Sequence, residues 1–310
     1  MLPSFFIDCS KTLPGGTCDM VTRSEIAAYE DHGYLVLRQK IDSQELAPVR
    51  ALIAEFVDTR AREYYRDGKI SSLYEEESFE RRLAAINEEF EIEAGLLDLT
   101  HSVDDKELFS LVRYPAILDT LESLMGPEIA WTGSYVARPK LPHHEQTAFR
   151  WHQDSQYYGE ATQHLHVVSV WIPLVDVDEE NGCLHVIPGS HKWGLLKSER
   201  DRIDHVRTLE DVEERGTPIS LPMKQGDVLF IPNLLFHMSE ANTTRSVRWS
   251  LDLRYVEPSD SKELTEGERQ GYDTFDSHYR MRPMTVRSRQ PGKVASLRQL
   301  RESVIERISK

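Results

Sequence analysis

The chain has 310 residues, 39% of them hydrophobic, which is enough for one large core or one core with attached helices. Lys and Arg number 37 against 52 Asp and Glu, and the net charge of -15 makes nucleic acid and anionic lipid poor partners, since both carry the same sign. The three cysteines, Cys9, Cys18 and Cys183, fit neither a zinc ribbon nor a disulfide framework, so a reducing compartment, the cytoplasm, is expected.

Residues 1–20 carry no period and predict an irregular lead-in without the features of a signal peptide. Thr22 or Ser24 offers an N-cap for a short helix through Ile26, Ala27 and Tyr29, ended near Gly33. Tyr34–Leu37 predicts a short strand. Asp42 or Ser43 caps a longer helix with Leu46, Val49, Ile53, Phe56 and Val57 on one face, ending before Asp67-Gly68. Phe79, Leu83, Ile86 and Phe90 keep helical spacing and predict a helix over Tyr74 to Gly95, its acidic face solvated. Asp105 to Met125 is helical again, broken in two by Pro115 and stopped by Gly126-Pro127.

After residue 127 the pattern turns to β. Strands are expected at Ile129–Ala137, within Leu165–Leu174, at Cys183–Ile187, at Asp227–Ile231 and at Ser246–Val256, with Gly, Pro and Asn between them. Several such strands predict a sandwich or barrel. Trp193 to Gly216 is highly charged and reads as an exposed loop, with a partly helical lid as the sharper alternative. Leu297, Leu300, Val304 and Ile308 predict a C-terminal helix. No apolar run approaches the roughly 20 residues that span a bilayer.

Phe149-Arg150-Trp151-His152-Gln153-Asp154 carries the chemistry. On a strand, His152 and Asp154 would leave the same face and aim one imidazole and one carboxylate at one spot. His237 is the best third ligand. Two histidines and a carboxylate on one face of a metal leave positions open, as in non-haem Fe(II) sites that activate O2. Arg248 follows eleven positions later, with Asn242–Ser246 as a turn between. The two residues are therefore expected on adjacent antiparallel strands of one sheet. A guanidinium near such a metal suits a co-substrate with a distal carboxylate, such as 2-oxoglutarate.

Taken together, His152-Gln153-Asp154, Trp171-Ile172-Pro173-Leu174, Asn181 to His191, Gly226-Asp227-Val228-Leu229-Phe230, His237-Met238-Ser239 and Arg248 resemble the phytanoyl-CoA dioxygenase family of Fe(II)/2-oxoglutarate oxygenases. They occur in the family's order, between about Tyr34 and Tyr255. The resemblance implies a double-stranded β-helix, or jelly roll, with N-terminal helices packed on it and a C-terminal helix. With no internal repeat and no linker to separate a second domain, one domain is expected over 1–310: a helical part about 22–126, a jelly-roll core about 128–256 and a tail 257–310. With Asp154 present, the resemblance implies oxygenation rather than halogenation. It also implies iron and 2-oxoglutarate with O2, and an aromatic at Phe149 packed near the co-substrate. The ending Arg307-Ile308-Ser309-Lys310 is not the Ser-Lys-Leu peroxisomal address, a departure from the family's peroxisomal namesake.

Ser239, two past His237, is expected beside Arg248 on the distal carboxylate, and Trp171 to wall the same pocket. Gln156, Tyr157 and Tyr158, just past the ligand strand, are expected at the mouth of the site as substrate contacts. His143-His144-Glu145 reads as a solvated loop, His164 and His166 as structural or solvent-facing, His191 as part of a turn and Arg245 as solvated. The expected function is hydroxylation of an unactivated carbon of a small-molecule metabolite by a monomer or homodimer, with no nucleic acid or membrane partner. The same iron could instead drive desaturation, cyclisation or epimerisation in secondary metabolism. A non-catalytic jelly-roll binding protein is the alternative of another class.

Overall fold

The computed structural model describes residues 21–92, 106–201, 205–278 and 283–308. The lead-in, Cys9, Cys18 and the end of the helix expected to reach Gly95 lie outside the described residues.

Helix α1 (Arg23–His32) starts at a capping box between Thr22 and Glu25 and stops at Gly33, whose φ of 82° places it in the left-handed region. Strand β1 (Leu35–Leu37) follows, then α2 (Ser43–Arg66), capped by the Asp42 carboxylate accepting from the Gln44 amide at 2.8 Å. Its buried residues Leu46, Val49, Ile53, Val57, Ala61 and Tyr64 step by three or four, the stripe that a helix needs to lie on a sheet. The next helix, α3 (Arg82–Glu89), is much shorter than its spacing predicted. Tyr74 has a φ of 52°, and turn hydrogen bonds occupy Tyr74 to Arg81, so the chain bends there rather than coiling. Phe79 keeps its apolar role from a turn by packing on Trp249, with ring centroids 5.6 Å apart. As expected, α4 (Lys106–Val112) and α5 (Pro115–Met125) are separated at Pro115, which sits in the first turn of the second helix.

The strands and remaining helices are β2 (Ile129–Lys140), β3 (Phe149–His152), α6 (Asp154–Tyr158), β4 (Val168–Pro173), β5 (Leu184–Val186), β6 (Ser198–Arg200), β7 (Val206–Thr208), β8 (Ile219–Leu221), β9 (Val228–Pro232), β10 (His237–Ser239), β11 (Arg248–Val256), α7 (Glu266–His278), β12 (Met284–Arg287) and α8 (Leu297–Ile308). One sheet has the order β1-β9-β4-β11-β2-β12, the second β3-β10-β5-β8, and all their pairings are antiparallel. This is the jelly roll. The segment 193–216 is largely exposed, as expected, but it is not irregular: it contains a β6–β7 hairpin and a short 3-10 helix at Val212–Glu214. The tail adds α7 and β12, which its polar composition did not predict; β12 pairs with β2 at the edge of the larger sheet. Among the described residues no helix is long and apolar enough to cross a membrane.

Strand β11 shows how the sheet separates core from site. Its odd residues Trp249, Leu251, Leu253 and Tyr255 join the main hydrophobic cluster with the helices, and the Tyr255 hydroxyl donates to the Val112 carbonyl at 2.8 Å. Its even residues Arg248, Ser250, Asp252 and Arg254 therefore face the opposite way, between the two sheets, and are buried there. Polar residues inside a barrel need partners, so this face marks where a ligand belongs.

The sheet edge is closed by a tight turn. A Cβ on Gly226 (φ 94°) would lie 2.4 Å from the Ile41 carbonyl oxygen. Next to it, the buried Asp227 carboxylate accepts from Arg38 at 2.6 Å, from the Gln39 amide at 2.9 Å and from the Lys224 amide at 2.8 Å. Gly226→Ala is expected to destabilise the protein by about 2 kcal/mol through backbone strain. Denaturant unfolding measures it; an unchanged midpoint would contradict this account of the turn.

Candidate metal centre

His152 and Asp154 do not share a strand, contrary to expectation. Strand β3 ends at His152; Gln153 is the extended N-cap and Asp154 the first residue of α6. The strand stops because Gln153 is committed elsewhere. Its buried side chain donates to the Gly194 carbonyl at 2.8 Å and the Leu234 carbonyl at 2.7 Å, and accepts from the Leu196 amide at 2.9 Å. Asp154 still faces the site because α6 is pinned from below. Asn233 donates to the Ser155 hydroxyl at 2.7 Å, and its carbonyl accepts from the Ser155 amide at 3.2 Å.

His237 pairs directly across the ladder with His152, their ring centroids 4.2 Å apart. Its Nε2 lies 3.8 Å from Asp154 Oδ1. One ligand atom from each of His152, Asp154 and His237 falls within 4.8 Å of the others, and all three residues are buried.

The surroundings set these groups up as ligands. His152 Nδ1 meets the Arg150 carbonyl at 2.7 Å and His237 Nδ1 the Leu235 carbonyl at 3.0 Å. A carbonyl only accepts, so each proton sits on Nδ1 and each Nε2 lone pair is left for a metal. Burial, then the neighbouring His237, push His152 down to about 3, which keeps its imidazole neutral. Burial opposes the Asp154 charge. Arg254, His237, His152 and the Ser169 hydroxyl, which donates to Oδ2 at 2.6 Å, outweigh it and hold the carboxyl at about 2. Two imidazoles with Nε2 turned to the site and one carboxylate with its outer oxygen already held are the donor set of a facial-triad iron site.

Arg248 is not on a strand next to His237. It begins β11 in the larger sheet, whereas His237 begins β10 in the smaller one. The two sheets face each other, which brings these residues to one interior by a route that sequence distance does not reveal. Arg248 is buried, and burial lowers it to about 10. Its guanidinium lies over the Trp171 ring at 5.4 Å, and Nη1 donates to the Ser250 hydroxyl at 2.7 Å. Its Nε has no hydrogen-bond partner among the described residues. A buried arginine with a donor unspent is fitted to an anion.

Ser239 is buried, and its hydroxyl accepts from Lys140 Nζ at 2.9 Å. Phe149 lies 6.0 Å from the His152 ring and stacks on His205 at 4.9 Å. Tyr157 sets its ring edge-on to His152 at 5.2 Å, while its hydroxyl accepts from the Val206 amide at 3.0 Å. Gln156 and Tyr158 are occupied with the frame. The Gln156 amide donates to the Leu196 carbonyl at 3.0 Å and the Thr208 hydroxyl at 3.1 Å, fastening the hairpin to α6. Tyr158 is buried and its hydroxyl accepts from Arg254, on the Asp154 side of the interior. His143, His144, His164, His166 and His191 all lie outside the triad.

Sequence reasoning missed Ser169, Gln153, Asn233 and Lys140. Ser169 was the most accessible, since it lies two before Trp171 and shares its face of the strand.

Fold and site together define a jelly-roll oxygenase of the iron and 2-oxoglutarate class. The chain belongs to the phytanoyl-CoA dioxygenase (PhyH) family, whose model matches residues 29–250. Its cofactors are accordingly iron and 2-oxoglutarate. It is 25% identical over 244 residues to the peroxisomal phytanoyl-CoA dioxygenase of Mus musculus, covering 76% of this chain and 69% of the relative. Among solved structures, the non-heme alpha ketoglutarate dependent carbocyclase SnoK from nogalamycin biosynthesis matches with a TM-score of 0.51 at 23% identity, over 78% of this chain and 87% of that one. EctD from S. alaskensis, solved with 2-oxoglutarate and 5-hydroxyectoine, matches with a TM-score of 0.55 at 17% identity, over 80% of each chain. Those likenesses concern the fold.

Proposed function

We propose that the protein hydroxylates an unactivated carbon of a small-molecule metabolite, releasing succinate and CO2. One observation carries the reading: a buried two-histidine, one-carboxylate cluster shares an interior with a buried arginine that has a donor unspent. When bound, iron and 2-oxoglutarate together supply the reduction of O2 that delivers one oxygen atom to a C–H bond.

The chain's own residues do the rest. His152 Nε2, His237 Nε2 and an Asp154 oxygen hold the iron. Arg248 grips the distal carboxylate of 2-oxoglutarate, with the Ser239 hydroxyl beside it and Trp171 as the wall. Phe149 and Tyr157 shield the open side, and the β6–β7 hairpin, tied down through Gln156 and Tyr157, excludes water from the reacting centre. Tyr157 is then the substrate contact of the three expected, while Gln156 and Tyr158 keep the frame. Residues 1–310 act as one catalytic unit in this reading, with the N-terminal helices backing the sheet that carries Arg248.

Succinate release across a metabolite library, assayed with and without Fe(II), tests it. Succinate formed only with iron and one class of metabolite is the expected result; none with any would oppose it. Cyclisation on the same iron is the second reading, supported by the fold likeness to the carbocyclase. Product mass separates the two, as a gain of one oxygen or a loss of two hydrogens.

Ser169→Ala is expected to weaken iron binding about 10- to 100-fold, since a group that orients a ligand carboxylate is lost but no ligand is. Metal titration followed by calorimetry measures this. An unaltered affinity would mean that Asp154 is oriented by the helix alone.

A further inference from the structure

Lys140 ends β2 in the interior, 1% exposed, directly across the ladder from Arg248. A lysine so placed is unusual, because burial strips its ammonium of water. Burial and the adjacent Arg248 and Arg138 push it down to about 6. Packing alone would be served better by an apolar side chain.

The ammonium's contacts all lie on one turn. Nζ donates to the Ser239 hydroxyl at 2.9 Å, the Ser239 carbonyl at 3.4 Å and the Glu240 carbonyl at 2.5 Å. Room for its stem is kept by Gly182, where a Cβ would come within 2.7 Å of Lys140 Cδ. Asn242, also buried, holds the Lys140 carbonyl at 2.9 Å and the Ser246 carbonyl at 2.7 Å, fixing the lysine's backbone against the start of β11.

Two consequences follow from the chemistry of the groups. An ammonium has donors only, so it takes a lone pair of the Ser239 hydroxyl and leaves that hydroxyl's proton to point elsewhere. Burial and repulsion from Arg248 disfavour the Lys140 charge while the interior holds no anion; an anion placed between the strands relieves the repulsion and restores the ammonium.

We propose that Lys140 is a positioning residue for the co-substrate: it aims the Ser239 hydroxyl proton at the distal carboxylate and adds a second positive charge behind Arg248. This rests on the reading that Arg248 and Ser239 receive that carboxylate.

Anaerobic calorimetric titration of the iron-loaded protein tests it, using 2-oxoglutarate and 2-oxopentanoate, which carries a methyl group in place of the distal carboxylate. Lys140→Met is expected to weaken 2-oxoglutarate binding by about tenfold or more, as for loss of a charge-assisted contact, and to leave 2-oxopentanoate nearly unchanged. A merely structural lysine would weaken both alike. Lys140→Gln keeps N–H donors in the same space and serves if the methionine variant does not fold; the same selective loss is expected, only smaller. Ser239→Ala leaves the ammonium in place and is expected to lose selectivity too. A folded Lys140 variant that binds 2-oxoglutarate as the native protein does, or that weakens both acids equally, overturns the proposal, as does Ser239→Ala with full selectivity. Arg248→Ala in the same titration separates the two levels: if it keeps its preference for 2-oxoglutarate, the underlying assignment of the carboxylate site fails, whatever Lys140 does.

Discussion

Asp154→Ala is expected to lower succinate release by about a thousandfold or more, the scale of leaving a buried charge uncompensated. The carboxylate is the one anion of the triad, so its loss leaves only two imidazoles to face a divalent ion. It also removes a counter-charge from Arg254 and the acceptor of the Ser169 hydroxyl, both buried or nearly so. Asp154→Asn keeps the volume and an acceptor for Ser169 but not the charge, and separates ligand loss from packing loss. Bound iron and succinate should fall together in both variants, with circular dichroism unchanged in the asparagine variant. Undiminished turnover by Asp154→Ala would refute the triad.

The second large effect concerns 2-oxoglutarate alone. Arg248→Ala is expected to raise its KM about 100-fold or more, the range for truncating one partner of a buried charge pair, while kcat changes far less. The guanidinium lies over Trp171 and is tethered by Ser250, so its remaining donors are restricted in direction before the anion arrives. Lysine at 248 would restore the charge but not the two-pronged grip, and is expected to recover only part of the loss. Initial rates at varied 2-oxoglutarate decide it. A KM equal to that of the native protein would move the carboxylate away from β11.

How much of this was legible in the sequence differs residue by residue. The caps at Thr22 and Asp42, the stripe along α2 and the break at Pro115 are local, and local rules found them. The helix expected from Tyr74 failed because spacing alone cannot see that Tyr74 adopts a positive φ and that Phe79 is claimed by Trp249, a partner 170 positions away. The exposure of segment 193–216 was legible in its charges, but not its hairpin, since charges face solvent on strands as readily as on a loop; only the contacts of Gln156 and Tyr157 with it show a hairpin fastened to the site.

For the site, the candidate ligand residues came from motif order, but the geometry that strand parity and sequence distance imply for them was wrong twice. His152 and Asp154 converge through a strand end and a helix start, not through strand parity. His237 and Arg248 converge across two facing sheets, not along one. The groups that tune them, Ser169 under the carboxylate and Lys140 behind Arg248, carry no motif of their own.

What this sequence determined by itself was the list of chemistry-bearing residues and the periodicities that say which segments coil and which extend, because those depend on neighbours a few positions apart. What only the tertiary structure decided was direction: which face of β11 is dry, which nitrogen of each imidazole is free, and which cation stands behind which anion site. Those depend on hydrogen bonds and burial between residues dozens of positions apart, set only when the two sheets close on one another.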